Sequence, residues 1–256
     1  MCRHLVWLGR PRSLASLLLD PPWSLRRQAY QPRRQDRGLV NADGFGVAWY
    51  DPAVRAAPAR YRRSVPIWTD ASLASFAPVV RSGSMLAALR STTIGMPVDE
   101  RSAAPFVADR WCFSLNGTAT LESLRPLLGG GAGAGSAVEP TCDAVVLAEV
   151  VLAALLAGQD PVGVLDAVVT EVSARDPQAR LNMLITDGER AFGTAWGASL
   201  CALHEGGLAA GGVLVASEPL DDDPRWTDVP DGSVVAATAS GLHCRPLSAL
   251  GASRRR

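Results

Sequence analysis

The chain has 256 residues with 25 basic and 25 acidic side chains, and every one of the 25 basic residues is arginine. The absence of lysine excludes a Schiff-base lysine, a phosphate-loop lysine, a kinase-type strand lysine and a Ser-Lys dyad. The balanced charge argues against general nucleic-acid or anionic-membrane binding, which draws on an excess of positive charge. Coding bias explains most of the all-arginine usage, and the clusters Arg26, Arg27, Arg33, Arg34, Arg37 and Arg60, Arg62, Arg63 read as solvated faces or loops.

With 48% hydrophobic residues the chain can bury a sizeable core, and one domain is expected over residues 2–251 with a basic tail at 252–256. The longest apolar stretch, 145–157, is interrupted by Glu149 and is too short to span a membrane. No secretory signal is visible at the start, so a cytoplasmic protein with reduced thiols is expected. Five cysteines at 2, 112, 142, 201 and 244, with no CxxC pair, disfavour a disulfide framework and a four-thiolate zinc site. His4, His204 and His243 stand apart without paired spacing and are assigned to structure, so no metal and no cofactor is expected.

In chain order, residues 3–9 form an apolar run suited to a strand, and 13–19 follow with a serine cap and an apolar helical face. Residues 45–50, 85–90 and 111–115 read as strands, the last ending at an Asn116-Gly117 turn. The segment 129–135 (GGGAGAG) lacks the spacing of a phosphate loop and reads as a flexible connection. Two helices are predicted at 143–157 and 162–174, with Gly158 and Pro161 between them. Short strands follow at 181–186, 191–196, 200–204, 212–216, 234–238 and 242–245, the first two joined at Asp187-Gly188. Early strands, a central helical pair and a late meander fit an α+β fold of two packed sheets with helices outside.

Cys2 is the informative position. A small residue after the initiator normally allows Met1 to be removed, which places a thiol and a free α-amine on one residue. The α-amine has a reference pKa near 7.7–8.0, so it can serve as the base for its own side chain without a histidine. By position alone, a cysteine at residue two means little.

Its company changes that. MCRHLVWLG at the start, NADGFGVAWY from Asn41, LRSTTIG from Leu89, FSLNG from Phe113 and TCD from Thr141 resemble the ordered motifs of class II glutamine amidotransferases. These are N-terminal-nucleophile hydrolases, and the resemblance covers most of the chain. It implies a four-layer αββα sandwich in which Cys2 attacks a γ-glutamyl carbonyl to give a thioester. It further implies that the Asn116 side-chain amide and the Gly117 backbone N–H form the oxyanion hole. Arg90 corresponds to the arginine that grips the substrate α-carboxylate, a bidentate match that lysine cannot copy. Asp143 corresponds to the carboxylate that holds the α-ammonium group. Seen singly, Arg90 reads as a structural ion pair and Asp143 as a helix cap.

The departures from the family pattern carry information too. Ammonia-supplying members often have a histidine before Asn-Gly and a His-Pro-His stretch upstream. Here those positions are Leu115 and Ala104, Pro105 and Phe106, while Ala144 and Val145 follow Asp143 where many members have a glutamate. The stretches PPWSLRRQ, GMPVDERSAAPF and ASEPLDDDPRW resemble one branch, whose members remove glutamate from γ-glutamyl-hercynylcysteine S-oxide in ergothioneine biosynthesis. That resemblance implies a small-molecule γ-glutamyl substrate, with water taking the acyl group. The alternatives are a glutaminase subunit feeding ammonia to a separate synthase, and a non-catalytic binding protein of the same fold. A substrate of this branch carries a trimethylammonium group, which aromatic faces can hold. Of the seven tryptophans, Trp226, beyond Asp221 to Asp223, is the candidate for that contact; core packing is the default for each.

Overall fold

The computed structural model describes residues 2–35, 38, 40–92, 99–128 and 142–249. The stretches 129–135 and 252–256 singled out above lie outside the described residues. The strands are β1 (Arg3–Ser13), β2 (Phe45–Asp51), β3 (Arg55–Arg63), β4 (Arg81–Leu89), β5 (Phe106–Ala108), β6 (Trp111–Thr118), β7 (Arg180–Thr186), β8 (Arg190–Ala195), β9 (Cys201–His204), β10 (Gly212–Ala216), β11 (Thr227–Asp228), β12 (Ser233–Thr238) and β13 (Gly241–Pro246). The helices are α1 (Ala15–Leu18), α2 (Leu25–Gln28), α3 (Ala71–Phe76), α4 (Leu121–Leu124), α5 (Asp143–Leu156) and α6 (Pro161–Arg175).

The strands form two antiparallel sheets, in the orders β11-β9-β10-β1-β4-β2-β3 and β13-β12-β8-β7-β6-β5. Alternation along each strand decides the layers, because successive side chains leave opposite faces. On β1, Leu5 and Trp7 face the short helices and pack with Leu17, Leu18, Leu25 and Leu73. Val6 and Leu8 face the second sheet and meet Cys112, Leu184 and Val235. The outer face of the second sheet, with Phe113, Leu115, Met183 and Ile185, is covered by Val146, Leu147 and Val151 of α5 and Leu165 and Val169 of α6. Each such fully buried side chain contributes about 1.5–3 kcal/mol by leaving water. The result is the four-layer αββα sandwich, with one thin helical layer and one thick one.

Local chemistry sets the helix boundaries. Asp160 accepts a hydrogen bond from Gly163 N at 2.8 Å, and Pro161 occupies the first turn of α6, where its missing N–H costs nothing. The structure adds the short elements α2, α3, α4, β5 and β11 to the sequence reading and differs from it at three further places. The strand expected at 3–9 runs on to Ser13, because Arg12 and Ser13 pair with Ser82 and Arg81 beyond an irregularity, and this leaves α1 only four residues. β3 lies in an arginine-rich stretch read as a face or loop; it pairs with β2 alone, so Pro58 sits on an edge strand where no ladder bond is lost. Asn116 and Gly117 do not form a turn: β6 continues through them, with Asn116 opposite Asn182 and Gly117 opposite Leu181.

Candidate active site

Cys2 directly precedes β1, which is hydrogen-bonded on both sides within its sheet. The register Arg3↔Leu89 on β4 carries Cys2 to the level of Arg90. On the other side Leu5 pairs with Ala216, and Ser217 N donates to His4 O at 2.9 Å just beyond the end of β10. The second sheet brings Asn116 and Gly117 on β6, and α5 opens at Asp143. Cys2, Arg90, Gly117 and Asp143 line one small cleft, with Leu115 and Phe106 supplying an apolar wall.

The Asn-Ala-Asp-Gly stretch has a long-range task that its turn chemistry does not reveal. Arg90 N donates to Gly44 O at 2.8 Å, Asp43 N donates to Arg90 O at 3.1 Å, and Thr92 N donates to Asp43 Oδ2 at 2.7 Å. The turn thus clamps the backbone on both sides of Arg90. Gly44 has φ +144°, and a Cβ there would lie 2.9 Å from Arg63 O, so only glycine fits the clamp.

Asp143 is the first residue of α5, while the cap position itself belongs to Cys142. Its carboxylate accepts from Ala119 N at 3.0 Å and Ala144 N at 2.8 Å. Burial pushes the Asp143 carboxyl above its ordinary range, and those two N–H donors pull the other way. An opposite charge placed beside such a carboxylate returns the stabilisation that burial removes.

Burial also raises the Cys2 thiol; Asp143 adds to the rise, while Arg90 opposes it. The thiol sits 4.0 Å from the Ser91 carbonyl oxygen. A thiol held protonated at rest needs a base at the moment of attack. The nearest imidazole does not supply one: His4 is fully buried between the sheets with Nδ1 3.1 Å from Ser114 Oγ, and burial plus the adjacent Arg3 push it down to about 3. His204 and His243 lie on β9 and β13.

Gly117 is required by close approach, not by a turn: a Cβ there would lie 1.9 Å from Arg180 O on β7. β5 pairs with β6 only as far as Phe113, so past that point no described strand consumes the backbone donors on that side of β6. Asn116 is fully buried, and its amide reaches the Cys2 carbonyl, Ser217 Oγ and Arg3 Nη1. Arg3 and Ser217 lie inside the stretches MCRHLVWLG and ASEPLDDDPRW, but neither stretch shows their contact with Asn116, which exists only once the two sheets are stacked.

The structure separates Trp226 from this site. It packs on the outer cluster of the first sheet, its indole Nε1 donates to Asp221 Oδ1 at 2.7 Å, and it precedes β11, three strands from β1. At about 4.8 Å per strand that is ~14 Å. Phe106 is the aromatic side chain on the cleft among the described residues.

No family model matches the chain. Among solved structures, a glutamine aminotransferase class-II domain protein from Silicibacter pomeroyi superposes with a TM-score of 0.67 and 26% identity, covering 96% of this chain and 100% of that one. The fold is therefore that of a class II glutamine amidotransferase domain of the N-terminal-nucleophile type. Gamma-glutamyl-hercynylcysteine sulfoxide hydrolase of Mycolicibacterium smegmatis is 44% identical over 247 residues, 96% of this chain and 100% of the relative. The hydrolase of the same name from Mycobacterium tuberculosis is 44% identical over 242 residues, 94% of this chain and 95% of the relative. The chain belongs to this hydrolase family.

Proposed function

We propose that the chain hydrolyses the γ-glutamyl amide of γ-glutamyl-hercynylcysteine S-oxide, releasing glutamate and hercynylcysteine S-oxide in ergothioneine biosynthesis. The observation that carries this reading is 44% identity along the whole length of a relative of that name. The cleft joining Cys2, Arg90, Gly117 and Asp143 supports it.

In this reading, removal of Met1 frees the Cys2 α-amine. Arg90 takes the glutamyl α-carboxylate and Asp143 the α-ammonium group, which presents the γ-carbonyl to the thiol. Cys2 Sγ attacks the carbonyl carbon while its proton passes to the α-amine. The oxygen becomes an oxyanion held by the Gly117 N–H and the Asn116 amide, where one donor is worth about 3 kcal/mol of barrier. Collapse breaks the C–N bond, the α-ammonium returns the proton to the leaving amine, and a thioester remains on Cys2. Water, deprotonated by the same amine, attacks the thioester and frees glutamate and the thiol.

The test is glutamate release from the sulfoxide, the corresponding thioether and glutamine in parallel, with mass spectrometry to verify loss of Met1. Release fastest from the γ-glutamyl sulfur compounds is expected. Turnover of glutamine alone, or undiminished turnover by Cys2→Ala, would overturn the reading.

A further inference from the structure

An amide side chain can occupy its site in two orientations, and the atoms around Asn116 favour one. With Nδ2 turned toward the Cys2 carbonyl oxygen, Oδ1 accepts from Ser217 Oγ at 3.1 Å and from Arg3 Nη1 at 3.2 Å. Reversed, the amide oxygen would face the carbonyl oxygen, and the NH2 group would face the guanidinium N–H. The contacts to the Cys2 carbonyl and to Arg3 would then oppose like with like, and the Ser217 hydroxyl would have to turn from donor to acceptor.

The hydrogen-bond accounting of Ser217 agrees. Its hydroxyl accepts from His4 N at 3.0 Å, so its single proton remains available for Asn116 Oδ1. Its position is over-determined: Ser217 N donates to His4 O at 2.9 Å, and Ser199 Oγ donates to Ser217 O at 2.7 Å. Ser217 is fully buried, so no water competes for that proton.

We propose that Ser217, assisted by Arg3, is a positioning residue for amide cleavage. It locks the Asn116 amide with its NH2 group toward the nucleophile, one N–H on the Cys2 carbonyl and the other kept for the oxyanion. This rests on the reading of Asn116 as an oxyanion donor. Cys2 is then coupled to Ser217 twice, through the His4 backbone and through the Asn116 amide.

The experiment is a kinetic double-mutant cycle on glutamate release with Ser217→Ala, Asn116→Ala and the pair, plus Ser217→Thr, with a thermal melt of each. Losing one oxyanion donor costs on the order of 10²–10³ in kcat, and releasing its orientation costs less, roughly tenfold. Ser217→Ala is therefore expected to lower kcat about tenfold with KM changed less than about twofold, since Arg90 and Asp143 are untouched. In the Asn116→Ala background the same change should cost less than about twofold, and Ser217→Thr should restore most of the rate. Should Ser217→Ala prove insoluble, Ser217→Cys keeps the volume with a weaker donor and carries the same expectation. A full tenfold loss in the Asn116→Ala background, a rise in KM at constant kcat, or an unchanged kcat overturns the role of Ser217. A merely structural serine would lower the melting temperature and act additively in the cycle. Wild-type protein that releases no glutamate from any γ-glutamyl amide removes the proposed function and this inference together; an active wild type with additive losses removes this inference alone.

Discussion

His4 should make folding stability depend on pH in a way that one substitution removes. Its imidazole is fully buried between the sheets and pushed down to about 3, against an ordinary value of 6.5, by burial and by Arg3. Above pH 6.5 neither the folded nor the unfolded chain protonates this ring. Below it the unfolded chain binds a proton that the folded chain refuses, so stability is lost as pH falls from 6.5 toward 3. One pH unit corresponds to about 1.4 kcal/mol, so His4 alone should remove about 3 kcal/mol between pH 7 and pH 4.5. The assay is urea unfolding of the wild type and His4→Asn at pH 7.5, 5.5 and 4.5. The substitution shifts stability by a roughly constant amount through altered packing, and carboxylates common to both proteins cancel in the difference. The wild type should therefore lose about 3 kcal/mol more than the variant across this range. Parallel pH dependences would refute the buried, neutral imidazole.

Three further outcomes are expected. Arg90→Lys keeps the charge but not the planar fork, and the loss of about 2 kcal/mol should raise KM roughly 30-fold with a smaller change in kcat, measured by glutamate release. Gly117→Ala forces a Cβ against Arg180 O, so β6 and β7 must part at the proposed oxyanion donors; kcat should fall at least ~100-fold while circular dichroism still reports a folded sheet. Trp226→Ala should leave KM for the betaine substrate unchanged, because Trp226 packs on the outer cluster of the first sheet, and should cost about 2 kcal/mol, read as a melting temperature ~5 °C lower.

Which parts of this were legible follows from where each partner lies. β1, β2, β4 and β6 announce themselves by apolar runs, and the serial helices α5 and α6 by their length and the Gly158–Pro161 break. β3 is hidden, because an edge strand exposes its arginines and tolerates Pro58, the two features that argue against a strand in isolation. Asn116-Gly117 looks like a turn because that dipeptide is common in turns. The glycine is there instead for the carbonyl of Arg180, a neighbour 63 positions away that only strand pairing reveals. The same holds for Asp43 and Gly44, which read as local turn chemistry and act as a clamp on Arg90. The candidates Cys2, Arg90, Asn116, Gly117 and Asp143 come from a family resemblance; Ser217 and Arg3 lie inside motifs of that resemblance, yet their bonding to Asn116 shows only with both sheets in place.

The lysine-free chain and the position of Cys2 together have a consequence for handling the protein. Without lysine, the α-amine is the one aliphatic amine among the 256 residues, so acylating labels that normally scatter over a surface have a single target. Once Met1 is gone, that amine forms a 1,2-aminothiol with the Cys2 side chain on the cleft. An aldehyde condenses with such a pair to a thiazolidine, expelling water and closing the proposed nucleophile and base into one ring. Conjugation at the amino terminus would therefore be selective and would silence the enzyme in the same step.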